Sequence, residues 1–565
     1  MGAIEPIRLP KDAQSSVPFA EQFVTLSKQE HIQLVAELRS FKTLHRRSVN
    51  RAASQKKRLM QIIRDMKMRA KEREAALRTE LELAQAKIRS LEKRMFGRKS
   101  ECSKGGTEQQ SASGRRASRG HQPGAKGHGR TRDENLPAVV ETITIEAPHC
   151  PKCQQPFGDF PGTENSEIVE IEVRAYRRQI RRQRYRRSCN CEGTPGIVTA
   201  PTPPRLIAGG KFGVSVWVSV LLDKYLYGRP SHRLLQDFSD HGLTMAPGTL
   251  AGGLQLIAPL FEPLEQALAN KLRSESHWHA DETRWAVFVD VEGKVGHRWY
   301  MWVFHSKSAI HYVIDKSRSA EVIEVELAGV DRGIISCDRY SAYKKFSRLH
   351  PLVLLAFCWA HQRRDFLELA NAYPDCAKWA MTWVDAIGEL YRLNALRLAE
   401  PPETGEHDAC HAALKTAVDA MAGRISDSLS DRRLPEPATK VMQSMKGHWG
   451  GLTVFVDHPW VPMDNNVAER DARGPVVGRK NFYGSGSLWS SELAATMYSL
   501  LMTVKLWGIN PRAWLTAYLQ ACAENGGHAP ESIDRFLPWT MDSVRLAALR
   551  NPAGKRDSGE CIDSS

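Results

Sequence analysis

Residues 279–361 carry the pattern of apolar and polar segments that most restricts the fold of this chain. Alternating and fully apolar runs, separated by turn residues, predict five strands. The predicted strands span residues 279–290, 298–305, 310–314, 333–338 and 352–358. A short helix is predicted over 320–327, between the third and fourth strands, and another helix joins the fourth to the fifth. The last two runs are apolar almost throughout, which is typical of buried strands.

The order of these elements is that of the ribonuclease-H-like fold, in which the first and fourth strands are neighbours. Asp281 lies in the first predicted strand, and Asp338 ends the fourth. Neighbouring strands lie about 4.8 Å apart. We therefore expect these two carboxylates to lie side by side.

A later helix is predicted to supply a third carboxylate. Asp464, Asn465 and Asn466 are N-cap residues, and Glu469 follows about one turn inside the helix. Three carboxylates in one cleft repel one another unless divalent cations neutralise them, and Mg²⁺ or Mn²⁺ prefers such oxygen ligands. Two such ions, about 3.5–4 Å apart, stabilise in-line displacement at phosphorus, which favours phosphodiester chemistry. The alternative is a surface ion pair between Glu469 and Arg473.

Residues 28–97 are predicted to form a helical arm without Pro or Gly, apart from the glycine at its end. The apolar seam consists of Leu77, Leu81, Ala84, Ile88, Leu91 and Met95. These four- and three-residue steps favour a leucine-zipper-like coiled coil that joins two chains, most simply a dimer. The alternative is an amphipathic helix on the protein's own surface. The basic Gly/Ser-rich linker at 98–135 suits either loose nucleic-acid contact or a solubilising tether.

Eleven cysteines include two close pairs that predict a zinc-binding, DNA-binding module over residues 136–200. Cys150 and Cys153 have the spacing of a zinc knuckle, while Cys189 and Cys191 are one residue closer than is usual. Together the four suit one structural Zn²⁺, with His149 as a substitute ligand and free thiols as the alternative. The N-terminus lacks a signal-peptide core, so we expect reduced thiols in a bacterial cytoplasm, at the nucleoid.

The net charge of +15 favours an anionic partner, and no apolar run reaches the roughly 18 residues of a membrane span. Residues 174–187 contain eight arginines and two tyrosines without one acidic residue. We expect this stretch to contact DNA phosphates. Further candidate phosphate contacts are His361, Arg364, Arg473 and Lys480, with pairing inside the protein as the alternative for all four. The predicted DNA contacts are Arg177, Arg178, Arg181, Arg182, Arg184, Arg186, Arg187, Arg364, Arg473 and Lys480.

The fold class expected is multidomain α/β. A ribonuclease-H-like catalytic core with an all-helical insertion follows the coiled-coil arm and a small zinc-ribbon-like module. In the helical region that precedes the core, a DNA-reading helix–turn–helix and plain helical packing both remain open. The remaining predicted limits are a helical region at 203–275, a catalytic domain at 276–485 with its insertion at about 366–455, a C-terminal helical domain at 486–550, and disordered ends at 1–27 and 551–565.

On these residues the chain resembles the insertion-sequence-66 family of bacterial transposases, over nearly its whole length. The resemblance rests on motifs at 94–98, 120–129, 279–283, 338–343, 358–364, 464–470 and 478–481, together with the zinc module. The motif that contains Glu469 is the most specific of these. Two features depart from the family pattern: Arg339 stands where the family usually has Gly, and the second cysteine pair is shortened.

The resemblance implies a DDE-type transposase with Asp281, Asp338 and Glu469 as its metal-binding triad. Asp281 would contact both Mg²⁺ or Mn²⁺ ions, and the other two residues one ion each. It also implies double-stranded DNA, at element ends and target, as substrate, and small companion proteins encoded beside the chain. The rivals are a resolvase-type nuclease of the same fold and a catalytically inactive DNA-binding regulator. Glu282 and Glu492 are the next candidates for the third carboxylate.

Overall fold

The computed structural model describes residues 27–96, 140, 142–143, 151–158, 173, 175–186, 188, 192, 195–292 and 296–550. These residues belong to two compact units, Met1–Glu101 and Cys102–Ser565. The predicted linker, both chain ends and three of the predicted zinc ligands (Cys150, Cys189 and Cys191) lie outside the described residues. No helix within the described ranges is both long enough and apolar enough to cross a lipid bilayer.

The first unit is one helix, α1, Lys28–Phe96, of 69 residues. At 1.5 Å per residue it is about 100 Å long. It begins with a capping box, because Glu30 N donates to Ser27 Oγ at 3.3 Å and Ser27 N donates to Glu30 Oε2 at 2.9 Å. The seam residues Leu77, Leu81, Ile88 and Leu91 are exposed along this helix. The seam thus offers apolar surface, and the coiled coil stays a prediction.

The second unit begins with a hairpin and a group of helices that precede the sheet. The pattern predicts one helix from residue 247 to about 272, but the structure divides it at Pro259, where a 3₁₀ turn spans Ala258–Phe261. Proline lacks the N–H that would continue the α-helix, which explains the division. The elements are β1 Arg184–Arg186, β2 Ile197–Thr199, α2 Val214–Leu221 with a π turn at Leu222–Leu226, α3 Ser231–Asp240, α4 Pro247–Ile257 and α5 Glu262–Arg273.

A mixed five-stranded sheet forms the centre of the unit. Its elements are β3 His277–Ala286, β4 Arg298–His305, β5 Ile310–Asp315, α6 Ala320–Glu326, β6 Gly333–Cys337, α7 Ser341–Leu349 and β7 Val353–Phe357. The strand order is β5-β4-β3-β6-β7. Strand β4 runs antiparallel to its neighbours β3 and β5, whereas β6 and β7 run parallel to β3. The structure therefore confirms the predicted order of elements and the adjacency of the first and fourth strands.

Six helices separate β7 from the helix that carries Glu469. They are α8 Trp359–Ala372, α9 Pro374–Ala399, α10 Gly405–Ser430, α11 Glu436–Gly447, α12 Trp449–Leu452 and α13 Val454–Asp457. Fully buried Arg397 on α9 donates to the carbonyls of Val456 and Phe455, both at 2.9 Å. Trp359, which opens α8, donates its indole N–H to the Leu452 carbonyl at 2.6 Å. These contacts join α8 and α9 to the last two helices of the segment, α12 and α13.

The last helices are α14 Asn466–Phe482, α15 Leu488–Leu506, α16 Pro511–Glu524 and α17 Ser543–Leu549. Helix α15 covers the edge strand β5, because Ser499 Oγ accepts from Tyr312 N at 2.8 Å and Thr503 Oγ1 accepts from Ile310 N at 2.9 Å. Side-chain hydroxyls thus satisfy strand N–H groups that have no strand partner on that side. One hydrophobic core joins the residues on both sides of 275 and of 485. The domain limits at these positions stay predictions.

Candidate active site

Asp281 lies in the middle of β3, and Asp338 directly follows the neighbouring strand β6. The parallel register of β3 and β6 aligns His279 with Ser336. Two residues further along, the same register brings Asp281 opposite Asp338, which directly follows β6. Side chains alternate between the faces of a strand, so Asp281 shares its face with His277 and His279. The sheet itself therefore sets two of the three predicted carboxylates side by side.

Glu469 is held beside these strands by a neighbouring asparagine. Asn465 is 1% exposed, and its Nδ2 donates to the Ala280 carbonyl at 2.8 Å. Its Oδ1 lies 2.9 Å from Nδ1 of His279. Burial lowers the pKa of His279 to about 4, so the ring is neutral at pH 7 and its Nδ1–H can donate. The helix that carries Glu469 is thus tied to the residues that directly precede Asp281.

This role of Asn465 differs from the predicted one. Asn465 does occupy the N-cap position of α14, but its side chain makes no capping hydrogen bond. The neighbouring Asp464 instead accepts from the backbone N–H of Asn466 at 3.1 Å. Sequence patterns identify capping residue types but not a partner on a strand some 185 residues earlier. Only the doubled asparagine hinted that one of the two had another use.

Two further contacts fix α14 on the other side of Glu469. Asp471 Oδ2 lies 2.6 Å from His305 Nδ1, on β4. Pro475 lies inside the helix and offers no N–H to the Asp471 carbonyl, four residues earlier. The Tyr312 hydroxyl donates to that carbonyl at 3.0 Å instead. A helix interrupted by proline is therefore completed by the sheet beneath it.

The neighbouring acids act on Asp281 through their charges. Burial, followed by the charges of Glu282, Asp338 and Glu469, raises the pKa of Asp281 to about 7. Glu469 Oε1 is buried, and among the described residues it has no hydrogen-bond partner. A buried carboxylate oxygen without a donor, beside acids that repel one another, is the donor set expected for a divalent cation. These residues therefore fit Mg²⁺ or Mn²⁺.

Cys358 and His361 lie on the helical side of this cleft. His361 Nε2 is 3.6 Å from Glu469 Oε1. The Cys358 thiol precedes α8 and accepts from the backbone N–H of Asn465 at 3.2 Å. One ligand atom from each of Cys358, His361 and Glu469 lies within 4.8 Å of the other two. The sequence predicted His361 as a phosphate contact, but no spacing pointed to Cys358, because 107 residues separate it from Asn465.

Glu282, a reserve candidate for the third carboxylate, acts on Asp281 through its charge, but its own side chain is bound by other residues. Its side chain is 1% exposed and pairs with Arg318, and it accepts from the Tyr343 hydroxyl at 2.7 Å. Adjacent residues of a strand face opposite sides, so Glu282 is directed away from the face of Asp281. The second reserve, Glu492, is exposed on α15, and its charge acts on Glu265. These placements favour Glu469 over both reserves.

Arg339, the departure from the family pattern, links the Asp338 turn to the helical segment. Its guanidinium pairs with Asp365 at 2.6 Å and donates to Gln362 Oε1 at 2.9 Å, both on α8. It also donates to Ser444 Oγ, on α11, at 3.2 Å. A glycine could make none of these contacts.

The predicted DNA contacts divide by location. Arg364, Arg473 and Lys480 are exposed, on α8 and α14, and the charge of Arg364 acts on His361. The arginines of the basic stretch that the structure describes are also exposed: Arg177, Arg178, Arg181, Arg182, Arg184 and Arg186. Arg187 lies outside the described residues. Cys153 is exposed, and within the described part of the chain it forms no disulfide.

Comparison with known proteins identifies a family over half of the chain. The family model described as "Transposase IS66 family" matches residues 209–493. This range contains Asp281, Asp338 and Glu469. Three relatives in Sinorhizobium fredii carry names without a function. Uncharacterized protein y4jD is 28% identical and covers 77% of this chain and 86% of the relative. Uncharacterized protein y4qI is 24% identical, and the match covers 72% of this chain and 76% of the relative. Uncharacterized protein y4hP is 26% identical, and the match covers 64% of this chain and 68% of the relative.

Two solved structures share a weak likeness with the chain. The Drosophila P element transposase strand transfer complex is 11% identical, with a TM-score of 0.21, and the match covers 61% of this chain and 93% of that one. The Mos1 mariner paired end complex with Mn is 12% identical, with a TM-score of 0.11, and covers 46% and 82%. TM-scores this low support no conclusion about this chain.

Proposed function

Because the chain belongs to the IS66 transposase family, we propose that it cuts DNA at the ends of an insertion sequence and joins the freed ends to target DNA. The observation that carries this proposal is that the charges of Asp338 and Glu469 both act on Asp281. Each carboxylate comes from a separate element, and together with burial the charges of the other acids raise the pKa of Asp281. Such a cluster is unfavourable unless it serves to bind cations.

We assign the sheet and its flanking helices to the ribonuclease-H-like class, on the strand order and on the positions of Asp281 within β3 and of Asp338 directly after β6. Asp281, Asp338 and Glu469 would hold two Mg²⁺ or Mn²⁺ ions. When bound, such a pair activates the attacking oxygen and stabilises the leaving oxygen at phosphorus. The protein's own contribution is to fix the three carboxylates, through the sheet register and through Asn465.

The reaction has two steps at one site. In the first, a water oxygen attacks a phosphodiester at the element end, the bond from phosphorus to the 3′ oxygen breaks, and a 3′-hydroxyl and a 5′-phosphate result. In the second, that 3′-hydroxyl attacks a phosphodiester of the target, forms a new bond to phosphorus and releases a target 3′-hydroxyl. In this proposal His361, which lies 3.6 Å from Glu469, and Arg364, whose charge acts on His361, contact the phosphate during both steps.

The remaining parts serve DNA recognition and assembly in this proposal. The exposed arginines between 177 and 187 contact phosphates, and Cys150, Cys153, Cys189 and Cys191 hold one structural Zn²⁺ that folds their module. The α1 arm joins two chains through its apolar seam. Arg473 and Lys480, on the exposed side of α14, extend the phosphate contacts toward the cleft.

The test uses the full chain, DNA that carries the element's own terminal repeats, and Mg²⁺. Asp281→Asn, Asp338→Asn and Glu469→Gln should each reduce cleavage and joining by roughly 10²–10³-fold or more. A double variant should be little worse than a single one, because the residues act as a unit. DNA-end binding should persist, and Asp290→Asn, an exposed aspartate outside the cleft, should behave as wild type.

The same assay separates the rivals. A pre-cut donor with a free 3′-hydroxyl should be joined to target DNA by the transposase, whereas a resolvase-type nuclease would cleave without joining. A wild-type chain that binds element ends but neither cuts nor joins them, with and without its companion proteins, would be an inactive regulator. Either result contradicts the proposal.

A further inference from the structure

The cleft contains a second set of metal-ligand atoms that differs in chemistry from the three carboxylates. It consists of the Cys358 sulfur, a ring nitrogen of His361 and an oxygen of Glu469, all within 4.8 Å of one another. Cys358 is 3% exposed, while the side chains of His361 and Glu469 are 26% and 29% exposed. The sulfur of this set is therefore buried, whereas the other two ligand residues are partly exposed to solvent.

The arrangement is close to that of a three-ligand zinc site. Zn²⁺ binds sulfur at about 2.3 Å and nitrogen or oxygen at about 2.0–2.2 Å, so the ligand atoms of a tetrahedral site lie roughly 3.3–3.8 Å apart. His361 Nε2 and Glu469 Oε1 already lie 3.6 Å apart. The Cys358 sulfur lies within 4.8 Å of a ring nitrogen of His361 and of an oxygen of Glu469, so a small movement of these side chains would complete the three-ligand geometry. A water molecule would complete four ligands, as in other zinc sites with three protein ligands.

Glu469 Oε1 and the second ring nitrogen of His361 have unused bonding capacity. Among the described residues, Glu469 Oε1 and His361 Nδ1 are buried without a hydrogen-bond partner. Burial raises the pKa of the Cys358 thiol, whereas the backbone N–H of Asn465, 3.2 Å from the sulfur, and backbone N–H groups at the start of α8 partly oppose this shift. Helix starts and backbone N–H donors stabilise a thiolate.

We propose that Cys358, His361 and Glu469 form a binding site for a thiophilic divalent cation, Zn²⁺ or Cd²⁺, that competes with the catalytic ions for Glu469. The Cys358 proton passes to solvent as the metal enters. Mg²⁺ does not use this site, because it selects oxygen ligands over sulfur. Glu469 cannot serve both sites at once, so occupancy by Zn²⁺ removes one ligand from the acidic cleft. Binding stands on the geometry alone, whereas the inhibition that follows rests on the proposed function.

The binding test uses the full chain with its zinc module already loaded, and a chromophoric chelator as competitor for added Zn²⁺. Wild type should bind one Zn²⁺ per chain more than Cys358→Ser, or bind it at least about 10–100-fold more tightly. Glu469→Gln should show a similar loss, since a carboxamide is a poor ligand. Cys410→Ser, a half-buried cysteine on α10, should match wild type. Equal Zn²⁺ binding by wild type and Cys358→Ser overturns the site.

A second measurement keeps Cys358 intact in case the serine variant fails to fold. Cys150→Ser removes the first predicted ligand of the zinc module. In that variant, Cd²⁺ added beyond what the remaining thiols of the zinc module bind should slow iodoacetamide modification of Cys358, measured by mass spectrometry of that residue, at least tenfold. Unchanged alkylation of Cys358 would overturn the proposal.

The inhibition arm uses the DNA-cleavage assay in excess Mg²⁺. Each protein is compared with its own cleavage activity without Zn²⁺. Added Zn²⁺ should inhibit cleavage by wild type and by Cys410→Ser. It should inhibit cleavage by Cys358→Ser at least tenfold less effectively. Zn²⁺ that binds through Cys358 but leaves cleavage unchanged would refute the shared use of Glu469. If the wild-type chain cleaves no DNA at all, that result contradicts the proposed function. The binding test is then judged on its own result.

Discussion

Replacing Asp281 by asparagine should stabilise the metal-free protein at alkaline pH. Burial and the neighbouring acids raise the pKa of Asp281 from its ordinary 3.8 to about 7. A group whose pKa is higher in the folded state favours folding at pH values below its unfolded pKa. This contribution is lost as the pH rises through the folded pKa. Above pH 7 the folded chain therefore carries an unfavourable charge that Asp281→Asn removes without a change of shape.

The size of the effect follows from the same values. A rise from 3.8 to about 7 corresponds to roughly 4 kcal/mol of unfolding free energy. Part of the side chain contacts solvent, which reduces this figure, so we expect about 2–4 kcal/mol at pH 8. At pH 4 the folded wild type is already protonated at this position, and the gain should approach zero.

The measurement is urea unfolding of the full chain between pH 4 and pH 8, in buffer without divalent cations and without chelator, so that bound zinc stays in place. Asp290→Asn, at an exposed position, is the matched control, because it removes the same charge outside the cleft. Added Mg²⁺ should then reduce the difference in unfolding free energy between Asp281→Asn and the wild type. A ligand at about 100 times its dissociation constant stabilises the wild type by about 2.7 kcal/mol.

The reasoning fails if Asp281→Asn destabilises the chain at pH 8, or if it gives the same small change at every pH, as the control should. Either result would mean that the carboxylates do not repel one another in the folded state. The absence of any Mg²⁺-dependent stabilisation of the wild type would contradict the cation site by itself.

Three further predictions concern the anchor of α14, the DNA contacts and the zinc module. Asn465→Ala should lower the free energy of unfolding by about 2–4 kcal/mol, because it leaves buried partners unsatisfied, and should also lower DNA cleavage. Urea unfolding checks the loss of stability, with Asn466→Ala at an exposed position as the control. Gln at four arginines between 177 and 187 should reduce the slope of log affinity for DNA against log salt by roughly 3–4. Cys150→Ser should remove one zinc per chain by elemental analysis in zinc-limited cells, whereas Cys410→Ser should not.

The strand order was predictable because short apolar runs and turn residues mark buried strands directly. Asp281 and Asp338 could then be paired from topology alone. The strand limits were less accurate: β3 spans His277–Ala286, whereas the pattern predicted residues 279–290. The strand β3 begins at His277 because its pairing with β6 begins there. It ends at Ala286 because that residue has the last pairing partner on β4. Pairing partners are distant in the sequence and leave no local signal.

The surroundings of Glu469 show the same limit. Local capping signals predicted a helix that begins near residue 466, and α14 begins there. The contacts of Asn465 with Ala280 and Cys358, by contrast, depend on how the sheet and α8 pack. The bond from Tyr312 to the Asp471 carbonyl exists because Pro475 leaves that carbonyl unpaired. A proline in the helix could have predicted an orphaned carbonyl, although not its donor.

The anchors of α14 balance the repulsion that the carboxylates create. Glu469 approaches two other acids, so the helix would move away from the sheet unless other contacts held it. Four such contacts flank Glu469: two from Asn465, one between Asp471 and His305, and one from Tyr312. At about 1 kcal/mol each, they contribute roughly 4 kcal/mol, similar to the cost at Asp281. Three of the four involve uncharged groups, which hold the helix without adding to the negative charge of the cleft.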